Sequence, residues 1–231
     1  RGFALARFVN GEPDPNFGDG GIAASRIGGE LSDSAIKNIS SMPDGKLIAT
    51  GTSQAYGEAL QIVQARYLQD GTIDSSFGVN GILFFEQLDR DYYVPSDFAL
   101  QPDGKILAAG FISATDSPKP NIFLARYNPD GSIDISFGEN GLVEAASLNS
   151  GASIAYAVRL QDDGKILVSG QTQEKSWNGF YGGGQDQDIA LLRYTTNGEL
   201  DESFGSNGQI VTNIRNRDAA NDIAVLQDGT I

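Results

Sequence analysis

The chain has 231 residues, with 16 Lys and Arg against 30 Asp and Glu, a formal net charge of −14, no histidine and no cysteine. Missing cysteine excludes disulfides, thiolate nucleophiles and zinc ribbons, and missing histidine excludes the Ser-His-Asp triad and the usual neutral-pH proton shuttle. The acidic balance argues against a nucleic-acid partner, which needs clustered Lys and Arg, and no apolar run reaches the ~18 residues of a membrane span. At 40% hydrophobic residues the composition supports a buried core. The chain opens at Arg1 without a signal-peptide pattern, which reads as a processed or excerpted sequence.

In chain order, the first unit (residues 1–26) brings Ala6-Arg7-Phe8 at the end of a strand, then Asn16-Phe17-Gly18 and a further strand. The second (27–86) predicts a strand at 35–41, the hairpin Met42-Pro43-Asp44-Gly45-Lys46, an apolar strand, Ala65-Arg66-Tyr67, Ser76-Phe77-Gly78, and a strand at 82–86. The third (87–146) repeats the order: a strand at 97–101, Gln101-Pro102-Asp103-Gly104-Lys105, strands at 106–110 and 122–127, Ala125-Arg126-Tyr127, and Ser136-Phe137-Gly138. The fourth (147–212) does so again, with a strand at 155–160, Gln161-Asp162-Asp163-Gly164-Lys165, Leu192-Arg193-Tyr194 and Ser203-Phe204-Gly205. The last (213–231) holds a strand at 222–226 and Gln227-Asp228-Gly229-Thr230-Ile231. The hairpin aspartates are spaced by 59, 60 and 65 residues and the arginines by 59, 60 and 67. Three blocks in one order and one phase mark an internal repeat.

Four short antiparallel strands per ~60-residue unit cannot bury both faces alone, so the units must stack. The fold class is therefore all-β, a β-propeller of four-stranded blades, with a β-solenoid as the weaker reading. The whole chain reads as one propeller domain or a fragment of one. Both ends fall inside a blade, so the expectation is an arc of a larger ring, the alternative being closure of the terminal half-blades into four.

The segment Tyr127-Asn128-Pro129-Asp130-Gly131-Ser132-Ile133-Asp134-Ile135-Ser136-Phe137-Gly138, with the Gln-Pro-Asp-Gly-Lys hairpins, resembles the bacterial delta-60 repeat, an NHL-like propeller repeat of largely unassigned function. The resemblance covers essentially the whole chain. It implies strands A to D running outward, with the Asp-Gly hairpin joining A and B. It also implies an extracellular or cell-surface bacterial protein with many such repeats, and it carries over no catalytic residue. Thr195-Thr196-Asn197-Gly198, and Asn10-Gly11-Glu12-Pro13-Asp14 in the first unit, depart from its Asn-Pro-Asp-Gly turn but keep turn chemistry.

The aspartates before glycine (Asp44, Asp103, Asp163, Asp228) read as turn residues bonding their own backbone. Asn128, Asp130 and Asp134 space oxygens as a calcium loop would, and calcium is the one cofactor the chain suggests. The further acids of an EF-hand-like loop are missing. Asp14, Asp74, Asp134 and Asp201 are accordingly expected to cap the loop or pair with Arg7, Arg66, Arg126 and Arg193. The phenylalanine of each Phe-Gly turn reads as a core plug.

The A–B and C–D turns share one face, and the irregular D–A and B–C loops share the other. The longest irregular loop, 171–188, holds Trp177, Asn178, Phe180 and Tyr181, with Tyr92 and Tyr93 on the same face in loop 87–96. Aromatics beside amides and acids suit a carbohydrate or protein ligand. The bland alternative tucks them against a neighbouring blade. Function then reads as a non-catalytic binding module for adhesion or ligand capture. The competing reading is a polysaccharide hydrolase or lyase using carboxylates among Asp89, Asp91, Asp97, Asp116, Glu174, Asp186 and Asp188, since glycoside cleavage needs two acids and no histidine.

Overall fold

The structure, a computed structural model, describes residues 2–29, 32–58, 60–86, 93–112, 120–145, 148, 152–173, 187–214, 218–226 and 228–231. They are all-β, and no helix among them is long and apolar enough to cross a membrane. The chain divides into two compact units, residues 1–87 with 130–132, and residues 88–129 with 133–231.

In the first unit, β1 (Gly2–Ala6) pairs antiparallel with β4 (Ile22–Arg26) as a half-sheet. Between them β2 (Phe8–Val9) and β3 (Glu12–Pro13) form a small hairpin. Sheet I follows as β5 (Asp33–Ser41), β6 (Leu47–Gln54), β7 (Gln61–Tyr67) and β8 (Ile82–Phe84), side by side in chain order. The second unit holds sheet II, with β9 (Tyr93–Leu100), β10 (Ile106–Ile112), β11 (Asn121–Tyr127) and β12 (Leu142–Glu144). It also holds sheet III, with β13 (Ser153–Leu160), β14 (Ile166–Gln173), β15 (Gln187–Tyr194) and β16 (Gln209–Thr212). These are the four-stranded meanders that the repeat predicts.

Packing follows from the middle strands, which are apolar on both faces. In sheet II, Ile106 through Ala109 are all buried, as a strand covered on both sides requires. Leu107, Leu124 and Phe137 share one cluster with Val158, Val168 and Leu192 of sheet III. In the first unit Phe3, Leu5 and Phe17 of the half-sheet region meet Ala49, Val63 and Tyr67 of sheet I. Burial of a large apolar side chain is worth about 1.5–3 kcal/mol, so these clusters dominate the stabilisation of each pair of sheets.

Two differences from the sequence expectation have physical causes. The strands run further toward the irregular loops than the apolar pattern indicates: β9 starts at Tyr93, not at 97, and β14 runs to Gln173. At the β14 end and its β13 partner, polar side chains conceal the strand, because they are buried and bonded to one another. Ser153 Oγ donates to Thr172 Oγ1 at 3.0 Å, and Thr172 Oγ1 to the Leu148 carbonyl at 3.0 Å. Conversely, 222–226 is not a strand. Residues 218–226 make no ladder and are held instead by Ala220 N–H on the Gly170 carbonyl (3.2 Å) and by burial of Ile223 beside Leu167 and Phe204.

Each first strand also carries a β-bulge, at Lys37, Ser96 and Tyr156, opposite Gly51, Gly110 and Gly170. A Cβ on Gly110 would lie 2.0 Å from the Val94 carbonyl oxygen, so only glycine permits this close approach.

Candidate functional site

The repeated residues meet at the end of each sheet that carries the A–B hairpin and the C–D turn. Arg7, Arg66, Arg126 and Arg193 donate Nε–H to Asp14, Asp74, Asp134 and Asp201 at 2.7, 2.9, 2.7 and 2.8 Å. Each guanidinium also covers the ring of the following phenylalanine, 4.6 Å over Phe17, 4.6 Å over Phe77, 4.5 Å over Phe137 and 4.4 Å over Phe204. Cation–π attraction thus adds to the ion pair. Two of these arginines, one in each unit, also reach the next sheet. Arg7 Nη1 donates to the Gln69 carbonyl at 2.5 Å, and Arg126 Nη1 to the Thr196 carbonyl at 2.6 Å.

In the three full sheets the aspartate is saturated. Asp134 Oδ1 accepts from Ser136 N–H (3.1 Å) and Oγ–H (2.6 Å), while Oδ2 accepts from Arg126 and from Lys105 Nζ at 2.9 Å. Asp74 and Asp201 are held likewise by Ser76 with Lys46 and by Ser203 with Lys165. Burial opposes ionisation of Asp134, but Lys105, Ser136 and Arg126 outweigh it and hold the carboxyl well below its ordinary range. The Ser76 hydroxyl lowers Asp74, and the Ser203 hydroxyl followed by Lys165 lowers Asp201. The lysines of the Asp-Gly-Lys hairpins are the functional residues that the sequence reading missed. Their signal was recurrence in phase with the aspartates. The hairpin aspartates turn on their own backbone as expected: Asp44, Asp103 and Asp163 each accept the N–H of the lysine two residues on at 3.1 Å.

The residues suggested for calcium make the following contacts. Asp130 Oδ1 accepts from Ser132 N–H at 3.0 Å and Oγ–H at 2.7 Å, and Asn128 Nδ2 donates to the Ile133 carbonyl at 3.4 Å. Two cations already satisfy Asp134 Oδ2. Among the described residues no three His, Cys, Asp or Glu side chains are grouped to hold a metal.

At the irregular-loop end, Trp177, Asn178, Phe180, Tyr181 and Tyr92 lie outside the described residues. Tyr93 stands in β9, edge-on to Phe123 at 5.1 Å, and donates its hydroxyl to Glu144 Oε1 at 3.1 Å. Of the seven carboxylates weighed for catalysis, Asp89, Asp91, Asp116, Glu174 and Asp186 also lie outside the described residues. Asp97 is buried and accepts from Val158 N–H at 3.1 Å and Arg159 Nη1 at 2.5 Å, and Arg159 Nη2 also binds Asp222. Asp188 is buried and accepts from Asn213 Nδ2 at 2.7 Å.

A family model described as "Domain of unknown function (DUF5122) beta-propeller" matches residues 43–77, 101–137 and 161–204. No curated protein matches the chain. Each matched segment begins at an A–B hairpin and ends on the phenylalanine under the arginine. The family pattern therefore spans the Lys–Asp–Arg–Phe network of each full sheet; irregular loop 87–96 falls outside it and loop 171–188 inside it.

Proposed function

We propose that this chain, a member of the DUF5122 β-propeller family, is a non-catalytic scaffold whose irregular loops present a binding surface for a carbohydrate or protein ligand. The chain would serve as a module of an exported or cell-surface bacterial protein. One observation carries the reading: the recurrent charged and aromatic groups are consumed in holding turns and neighbouring sheets together. Chemistry toward a partner is left to the loops on the opposite face, the usual division between rigid scaffold and variable loops. Among the described residues, the carboxylates that depart from their ordinary range, Asp14, Asp44, Asp70, Asp74, Asp130, Asp134, Asp201 and Asp228, all move down. A glycosidase acid needs a carboxyl pushed up. The delta-60 resemblance supports the surface location.

The test is a panel of soluble polysaccharides, scored by affinity electrophoresis for retention and by reducing-end assay for cleavage. Retention without new reducing ends, lost when residues 179–184 are deleted while the melting temperature holds, is the expected result. New reducing ends or unsaturated products would replace this reading with the hydrolase or lyase one.

A further inference from the structure

Each full sheet enters its last strand through an Asn-Gly pair: Asn80-Gly81, Asn140-Gly141 and Asn207-Gly208. Both residues have positive φ, 53° to 54° at asparagine and 85° to 91° at glycine, as a two-residue turn requires. Gly81, Gly141 and Gly208 N–H donate to the Phe77, Phe137 and Phe204 carbonyls at 2.8, 2.7 and 2.8 Å. The three asparagines are exposed and the three glycines are buried. A Cβ on Gly141 would lie 2.1 Å from Ile133 Cγ2, and one on Gly81 2.3 Å from Ile73 Cγ1, so an aliphatic side chain covers the glycine. In the first unit Gly20-Gly21 makes the same turn, with φ 58° and 94° and Gly21 N–H on the Phe17 carbonyl at 2.9 Å. The asparagine side chain is therefore not what holds the turn.

Asparagine before glycine carries a chemical liability, because glycine has no side chain to hinder attack by its own nitrogen. A solvent base takes the glycine amide proton, the nitrogen bonds to asparagine Cγ, and the Cγ–Nδ2 bond breaks as ammonia leaves. Water then opens the succinimide ring at either carbonyl, giving aspartate or isoaspartate. The glycine nitrogen cannot begin this step while its proton sits on the phenylalanine carbonyl and its surroundings exclude base.

We propose that Asn80, Asn140 and Asn207 are latent deamidation sites, each gated by the Phe–Gly hydrogen bond of its own turn. The native turn keeps the site closed, and local opening of the turn lets it convert. Isoaspartate adds a backbone carbon that a two-residue turn has no room for, beside a glycine that tolerates no Cβ, so a converted turn does not close again. The phenylalanine that loses its donor is the one under the arginine. An event at the exposed turn thereby reaches the Arg–Asp–Phe network.

Peptide mapping by mass spectrometry, with fragmentation that separates isoaspartate from aspartate, tests this on the full chain held at mildly alkaline pH. In denaturant the three asparagines should convert at similar rates. In the native protein each should be slower by at least about tenfold, in proportion to the rarity of opening. Ile133→Ala thins the cover over Gly141 and should speed Asn140 several-fold, while Asn80 and Asn207 keep the wild-type rate. Three outcomes would overturn the proposal: native conversion as fast as in denaturant, no conversion in denaturant, or an Ile133→Ala variant that leaves Asn140 unchanged or speeds all three sites alike. The first two are read on the wild type and stand even if the variant does not fold.

Discussion

The Arg7–Asp14 and Arg126–Asp134 pairs share chemistry and Nε–Oδ2 distance, 2.7 Å in each, yet they are differently built. The Arg7 side chain is 37% exposed and Arg126 only 9%. Asp14 is lowered mainly by the Asn16 backbone N–H, with Arg7 adding to it, whereas Asp134 also has a hairpin lysine and a serine hydroxyl. An ion pair of fixed geometry therefore differs in consequence with its surroundings. Water supplies what Arg7 lacks, whereas the buried Arg126 depends on Asp134, the Thr196 carbonyl, the Ser136 hydroxyl and the Phe137 ring.

The largest separation between the pairs should come from Arg126→Met, which takes one of two cations from a buried carboxylate and removes the tie to Thr196. A loss of about 3 kcal/mol by urea denaturation is expected, and Arg7→Met should cost several-fold less. Equal losses would show that exposure does not govern the pairs. Next, Gly198→Ala adds a clash with Phe137 to positive-φ strain, for about 2 kcal/mol. Gly11→Ala carries the strain alone, for about 1 kcal/mol. Thermal melts of the two variants should rank in that order. Lys105→Met leaves Asp134 with Arg126 and Ser136, and a loss of about 1 kcal/mol is expected.

The smallest contrast lies in pH. Asp134 and Asp14 have folded pKa values below the unfolded ones, so their contribution is complete above the ordinary carboxylate range and is lost as pH falls through it toward the folded values. Asp134→Asn should lower stability at neutral pH and flatten its fall between about pH 5 and pH 2, with a weaker flattening for Asp14→Asn. An acid limb unchanged by Asp134→Asn would remove this carboxylate from the acid response.

Much of the fold was legible because its decisive interactions are local. The Asp-Gly hairpins close through an N–H two residues away, as at Asp103 and Lys105, and the Arg–Asp pairs sit seven or eight residues apart in a repeating frame. The Lys105–Asp134 link was not legible, because 29 residues separate partners that only the meander of strands brings together. The concealed strand ends failed for a related reason. Ser153 and Thr172 read as loop residues until tertiary burial gives each hydroxyl a partner. As for the candidate site, Tyr93 was assigned to a loop and stands in β9, held by Glu144 and Phe123.

By itself the sequence determined the repeat, the four-strand unit and the residues of the turns, since these follow from spacing and from φ preferences that no distant contact alters. Only the tertiary structure decided what a turn packs on. A glycine turn with Arg, Phe and Gly waiting on the sheet before it looks alike in every unit of the sequence. That Gly198 lies on Phe137 depends on which sheet stands beside it.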